Sequence, residues 1–242
     1  MHAKHDFSGK IVLISGASRG IGAAAAKAFA AAGGHVIATG RTRGALEELD
    51  DAITAEGGSC TLVELELADR PALTRLAAAV AERWGKLDVM VANAGQLGVL
   101  TPTSHMDETV WDEVIDTNLS AVWRMIQAFE PLLLQAETPR AVLVSSGASQ
   151  AKRPFWSAYA ASKAGLNALG KTWAHETSST ALRVSILNPG RVATAMLGTA
   201  FPGIKLEEMP QPEDIAPVFL RLADPSWDDH GAIINAADLL QT

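Results

Sequence analysis

The chain has 242 residues, 48% of them hydrophobic, 19% charged and 5% aromatic, with a formal net charge of −7 at pH 7. This length and apolar content suffice for one large core and fit a single domain spanning 1–242. The acidic balance argues against nucleic acid and anionic membrane as principal partners, and no run approaches the ~18 apolar residues that cross a bilayer.

Short apolar runs alternate with longer helical patterns along the chain. Residues 10–15 read as a buried strand, 22–32 as an alanine-rich helix and 35–39 as a second strand. Residues 44–56 read as a helix with Leu46, Leu49 and Ile53 on one face, and 60–65 as a third strand. That strand holds the single cysteine, Cys60, expected to be a small buried core residue. Pro71 opens a helix running to residue 84, where its missing donor costs nothing. Residues 87–91 form a fourth strand. A long helical region follows over 111–135, in which Pro131 predicts a kink or an early end. Residues 141–144 read as strand, 159–176 as a long helix, 183–187 as strand, 212–222 as a late helix and 232–234 as a last short strand. The segment 194–211, with Gly198, Pro202, Gly203 and Pro210, is the candidate for a mobile lid. Strict alternation predicts an α/β, Rossmann-like, doubly wound and mainly parallel seven-stranded sheet with helices on both faces. Ligands then bind beyond the carboxyl ends of the strands. The polar start, with no apolar signal region, makes a cytoplasmic protein the expectation.

The turn Ser15-Gly-Ala-Ser-Arg-Gly-Ile-Gly22 joins the first strand to the first helix. Gly16, Gly20 and Gly22 permit a tight turn, close approach of backbone to a pyrophosphate, and close packing of helix on strand. The helix N-terminus adds free N–H groups and the positive end of its dipole. The same stretch, Gly16-Ala-Ser-Arg-Gly20, also fits the nucleophile elbow of a serine hydrolase, with Ser18 as nucleophile and His175 or His230 as the late histidine. The second strand ends in Gly40-Arg41-Thr42-Arg43, without a carboxylate to hold a ribose 2′-hydroxyl. Arg41, with Arg19 from the glycine turn, suits a 2′-phosphate, so NADP(H) is expected over NAD(H), which is not excluded.

Tyr159, the only tyrosine, lies four residues before Lys163, on the same face of a helix. A neighbouring ammonium favours the phenolate, so the Tyr159 pKa is expected to fall toward working pH and make it a general acid or base.

With these residues the chain resembles the short-chain dehydrogenase/reductase family from about Gly9 to Gly231. Ser15–Gly22 is similar to the family's TGxxxGxG turn, Ala92-Asn-Ala-Gly95 to its NNAG, and Tyr159-Ala-Ala-Ser-Lys163 to its YxxxK. Asn118 resembles its helix asparagine, Ser146, thirteen residues before Tyr159, its catalytic serine, and Asn188-Pro-Gly190 with Thr194 its carboxamide-holding segment. The resemblance implies interconversion of a carbonyl and an alcohol. Tyr159 would move the proton, Ser146 orient the oxygen, Lys163 lower the Tyr159 pKa and hold the ribose, and Asn118 hold a water for proton resupply. It also implies cofactor contacts at Gly16, Ser18, Arg19, Gly20, Ile21, Gly22, Arg41, Leu67, Asn93, Ala94, Gly95, Tyr159, Lys163, Pro189, Gly190, Val192 and Thr194. Strand alternation lets only one of Ser145 and Ser146 point into the site, and the spacing favours Ser146. The chain departs from the family at Ala92, at Glu66 where an aspartate is usual, and in the tail 235–242, which lacks the usual DGG ending. A homodimer or homotetramer is the expected assembly.

The expected substrate is a small carbonyl or alcohol above Ser146 and Tyr159. Gln96, Leu97, Gln150, Phe155, Trp156 and the lid from Met196 to Phe201 are its walls, with Arg153 or Arg191 able to receive an anionic group. No paired histidine spacing suggests a metal. The sequon Asn118-Leu-Ser120 carries no weight without a signal peptide. A non-catalytic NADP(H) sensor or scaffold is the non-enzymatic alternative.

Overall fold

The computed structural model describes residues 5–150 and 153–240. Seven strands, β1 (Ile11–Ser15), β2 (His35–Gly40), β3 (Ser59–Glu64), β4 (Val89–Ala92), β5 (Arg140–Val144), β6 (Arg183–Asn188) and β7 (Ile233–Asn235), form one sheet in the order β3-β2-β1-β4-β5-β6-β7. Every pairing is parallel. Each predicted strand is present, with ends within two residues. The last two residues of the tail, Gln241 and Thr242, lie outside the described residues.

The central strands are apolar on both faces because both are covered. On one face Val12, Ile14, Val36, Ala38, Val91 and Val142 pack on α1 (Gly20–Ala31), α2 (Arg43–Ala55) and α8 (Pro212–Ala223). On the other, Ile11, Leu13, Ile37, Met90, Ala141 and Leu143 meet α3 (Arg70–Trp84), α5 (Ala121–Leu133) and α6 (Ser157–Glu176). The period of two between these sets is the strand pleat, and each fully buried Leu, Ile or Phe contributes about 1.5–3 kcal/mol. Helix ends follow local chemistry. Asp69 caps α3 by accepting from the Ala72 N–H at 3.0 Å, and Gly85 ends it at φ 69°.

Three expectations are corrected. Cys60 is only half-buried, because β3 is an edge strand, and burial pushes its thiol up to about 11. The long helix predicted over 111–135 begins earlier, as α4 (Glu108–Ile115), and runs on unbroken into α5 through Asp116–Ser120, where one turn widens to i→i+5 bonding that the sequence pattern does not foresee. Arg124 holds Asp116 through two bonds of 2.9 and 2.5 Å, and the Asn118 side chain is drawn into the site, so side-chain ties rather than proline open the turn. Pro131 falls in the last turn of α5, which ends two residues later. The lid segment also carries structure unseen in its sequence, a short α7 (Ala195–Ala200) and a turn at Leu206–Glu208. The remaining helix, α9 (Ala236–Leu240), follows β7. No helix among the described residues is long and apolar enough to cross a membrane.

Candidate active site

The strand order reverses direction between β1 and β4, which opens a crevice at their carboxyl ends. Hydrogen bonds tie the two sides of that crevice together. The Ser15 hydroxyl accepts from the Asn93 and Ala94 N–H groups at 3.0 and 3.1 Å. The Asn93 amide donates to the carbonyls of Ser15 and Gly16 at 3.0 and 3.1 Å. Gly16 sits at φ 65°, and a Cβ there would meet Ala94 Cα at 2.8 Å. A Cβ on Gly22 would lie 2.3 Å from the Gly16 carbonyl oxygen. Only glycine lets β1, the turn and α1 approach so closely. The Asn93 side chain thus ties the end of β4 to the end of β1, next to Ala92, where the chain departs from the family.

Tyr159 and Lys163 stand on one face of α6, both buried, as their spacing requires. The Lys163 ammonium lies 5.9 Å from the Tyr159 ring centroid and donates to the Val144 carbonyl at 2.8 Å. Ser146, just past β5, is close enough to the Tyr159 phenol to pull its pKa down, and its hydroxyl accepts from the Ala148 N–H at 3.2 Å. Its neighbour Ser145 is committed elsewhere on the same helix, where its hydroxyl donates to Asn167 Oδ1 at 2.5 Å. The Asn118 amide donates to the Gln96 carbonyl at 2.9 Å and to the Ser162 hydroxyl at 3.0 Å, and its oxygen accepts from the Gln96 N–H at 2.8 Å. A Cβ on Gly95 would lie 3.3 Å from Asn118 Oδ1 and 3.5 Å from Lys163 Nζ. Asn118, Ser146, Tyr159, Lys163 and Gly95 thus converge at one place.

The electrostatics run against the sequence expectation. Burial pushes the Tyr159 phenol up, and the nearby Ser146 hydroxyl only partly opposes this. Burial also lowers Lys163 to about 8. Both groups are driven toward their neutral forms because desolvation penalises charge of either sign. The phenol is held as a protonated acid.

An apolar wall adjoins the phenol: Leu97, Ala148 and Tyr159, with Leu100, Trp156, Met196 and Ala200 packed against them. The Trp156 ring stands edge-on to Tyr159 at 5.9 Å and meets Phe201, at the end of α7, at 5.6 Å. Phe201 of the segment 194–211 thus reaches the phenol through the Trp156 ring. The base of that segment is fastened where the Ala193 N–H donates to the Pro210 carbonyl at 2.8 Å.

Comparison with known proteins agrees with this geometry. A family model described as short chain dehydrogenase matches residues 10–204. The Escherichia coli (strain K12) oxidoreductase YciK is 35% identical over 216 residues, covering 88% of this chain and 85% of that protein. The 3-oxoacyl-(acyl-carrier-protein) reductase FabG of Thermotoga maritima is 35% identical over 229 residues, covering 89% and 90%. A short chain dehydrogenase structure from Shigella flexneri 2a, complexed with NADP, superposes with a TM-score of 0.93 at 33% identity, covering 97% of this chain and 100% of that one. The chain belongs to the short-chain dehydrogenase/reductase family.

As a member of that family it is an oxidoreductase that takes a nicotinamide cofactor, and the residues present fit one. The side-chain-free cradle of Gly16, Gly20 and Gly22 opens onto the N-terminus of α1, where Arg19 is exposed and offers no side-chain cap to the helix. Thr194 stands over this turn, its methyl 3.3 Å from where a Gly20 Cβ would be. Ser18 lies against Gly40 at the end of β2, beside Arg41. A groove lined by Arg41, Glu66, Gln96, Ile115 and Thr117 continues from there. Gln96 therefore lines the groove on the Arg41 side rather than the apolar wall around Trp156. Leu67 and Val192 have buried side chains in the two cores, which leaves only their backbone for a cofactor. Pro189 is half-buried, Gly190 is exposed at φ 79°, and Ile21 packs partly on the core. Gln150 is exposed beside the site and Met196 is part of the wall.

Ser18 is not a nucleophile with a base at hand. His230 accepts from the Val184 N–H near the start of β6, and His175 ends α6 on the same side, whereas Ser18 lies beyond the end of β1. Since the strands are parallel, these groups sit at opposite ends of the strands. Asn118 is fully buried, so its sequon is inaccessible.

Sequence reasoning missed Asn167. It accepts from Ser145 and donates to Ser149 at 3.0 Å, locking the loop that carries Ser146 onto the helix that carries Tyr159. The signal was present, since Asn167 continues the four-residue spacing of Tyr159 and Lys163. The pairing of Asn118 with the Gln96 backbone had no comparable signal.

Proposed function

We propose that the protein reduces a carbonyl to an alcohol with NADPH, or runs the reverse, using Tyr159 as the general acid and base. The observation that carries this reading is the placing of Tyr159 and Lys163, both buried on one face of α6, with the Lys163 ammonium on the Val144 carbonyl two residues before Ser146 and against Gly95 at the mouth of the glycine-lined crevice. When bound, the nicotinamide supplies or takes up the hydride. The Ser146 hydroxyl and the Tyr159 phenol both donate to the carbonyl oxygen and fix its position. Tyr159 then passes its proton to that oxygen as negative charge develops there. The high phenol pKa suits this direction, because the acid is fully protonated at neutral pH. Lys163 offsets the charge left on the phenolate, and the proton returns through it. Both amide hydrogens of Asn118 are committed to protein, so it acts by positioning the Gly95–Gln96 backbone around Lys163.

The preference for NADP(H) over NAD(H) rests on Arg41 and Arg19, exposed at the end of β2 and in the glycine turn with no carboxylate on β2 itself. NADPH consumption over a panel of aldehydes, ketones and quinones tests the activity. Turnover that prefers NADPH to NADH supports it. Tight NADPH binding without turnover of any panel member would replace it with a sensor or scaffold.

A further inference from the structure

The rim of the apolar wall carries charge that the proton transfer does not use. The Arg153 guanidinium stands 5.7 Å from the Trp156 ring centre and 5.4 Å from that of Phe201. Arg191, from the loop after β6, stands 5.0 Å from the same Phe201 ring. Neither forms an ion pair among the described residues, while the lid's own Lys205 and Glu208 are paired at 2.7 Å. Two elements far apart in sequence therefore bring two uncompensated cations to one aromatic ring, in a chain whose net charge is −7. The overall charge repels anions, so a pair of cations with no carboxylate partner is what would draw one to the mouth of the site.

The backbone presenting Arg153 is also unusual. Phe155, two residues on, has φ 75°, the one positive value among the described non-glycine residues, and is half-exposed. A bulky residue in that conformation costs about 1–3 kcal/mol and persists only where its surroundings hold it. Here the Thr101 N–H donates to the Phe155 carbonyl at 3.2 Å. The strained turn sets Arg153 and Trp156 side by side, one charged and one apolar, facing the lid.

We infer that the substrate is a carbonyl compound or alcohol with an apolar body and a terminal anionic group, the anion held by Arg153 and Arg191 at the lid. This deepens the proposed reaction and rests on it. The reacting carbon lies against Tyr159 and Ser146, the body along Leu97, Trp156 and Met196, and the anion at the guanidinium forks, whose planar donors match a carboxylate or a phosphate.

The test uses matched pairs: 4-formylbenzoate and 9-oxononanoate, each against its methyl ester, with NADPH and the full chain. The acids are expected to exceed the esters in kcat/KM by about tenfold or more, mainly through KM, the effect of one charge-assisted hydrogen bond. In the double variant Arg153→Met, Arg191→Met, which keeps the aliphatic stems over Phe201, the acid-to-ester ratio should collapse toward one. Calorimetric titration of 4-formylbenzoate into the NADPH-loaded Tyr159→Phe variant gives a readout free of turnover, and binding should disappear when the two arginines are also replaced. If acid and ester are reduced equally well, or fall together in the arginine variant, the guanidiniums only clamp the lid and the inference is overturned while the reductase reading stands. If neither pair is turned over and the acid does not bind, both fail.

Discussion

Replacing Gly22 by alanine separates a cradle built for close approach from an ordinary turn. The added Cβ would lie 2.3 Å from the Gly16 carbonyl oxygen and 2.5 Å from Asn93 Nδ2, where contacts of 3.4 Å or more are ordinary. One obstacle is backbone and the other is the amide that ties β1 to β4, so relief needs a shift of about 1 Å in the turn itself. Overpacking of this kind costs about 1–3 kcal/mol, and loss of the 3.1 Å Asn93–Gly16 hydrogen bond about 1 more. For a chain of this length the sum lowers Tm by about 5–15 °C. NADPH affinity should fall at least tenfold, because the same shift misaims the α1 N–H groups. Gly44 is the control. It is the second residue of α2, has an ordinary φ, and a Cβ there meets nothing within 4 Å. Gly44→Ala should stabilise by about 0.4–1 kcal/mol and leave NADPH binding unchanged. Thermal melts and NADPH fluorescence titrations on both variants decide the matter. A Gly22→Ala protein with native Tm and native NADPH affinity would refute the reasoning.

Further consequences concern charge. Glu66 lies 3.6 Å from Arg41, both exposed, and so competes with a 2′-phosphate for that guanidinium. Glu66→Gln should tighten NADPH binding about 2–5-fold, the worth of an exposed ion pair, and leave NADH unchanged; equal shifts for both cofactors in a fluorescence titration would argue against Arg41 as the phosphate ligand. Lys163 is cationic below about pH 8 and neutral above it, while Tyr159 stays protonated across that range. Reduction should therefore hold at low pH and decline as pH rises through about 8, and Lys163→Arg, whose charge persists, should carry that decline to higher pH; a profile that ignores the substitution would show that Lys163 does not set it.

Most of the fold was legible because a sheet covered on both faces writes its strands as continuous apolar runs, and such runs as Ile11–Ser15 and Arg140–Val144 have no other use in a chain of this kind. The choice of Ser146 over Ser145 came from its spacing to Tyr159, and the Ser145 bond to Asn167 is consistent with it. What escaped was tertiary. The widened turn at Asp116–Ser120 depends on Arg124, a full turn beyond it, and on a backbone partner at Gln96 twenty-two residues away. The i, i+4 spacing rightly put Tyr159 and Lys163 together, but spacing contains no information about depth. Burial decided the direction of both pKa shifts, and the cation was spent on the Val144 carbonyl. The two arginines at Phe201 illustrate the same limit. Sequence could name Arg153 and Arg191 as candidates, yet only the folded lid sets them on one ring.

The most direct measurement is single-turnover oxidation of NADPH by an aldehyde in wild-type protein and in Tyr159→Phe, with the NADPH Kd determined on the same samples. The account predicts a rate loss of about 10²–10⁴-fold in the variant with the Kd changed only a few-fold, because a phenol that donates a proton is removed while the cradle is untouched. Undiminished reduction by Tyr159→Phe at native affinity would contradict it.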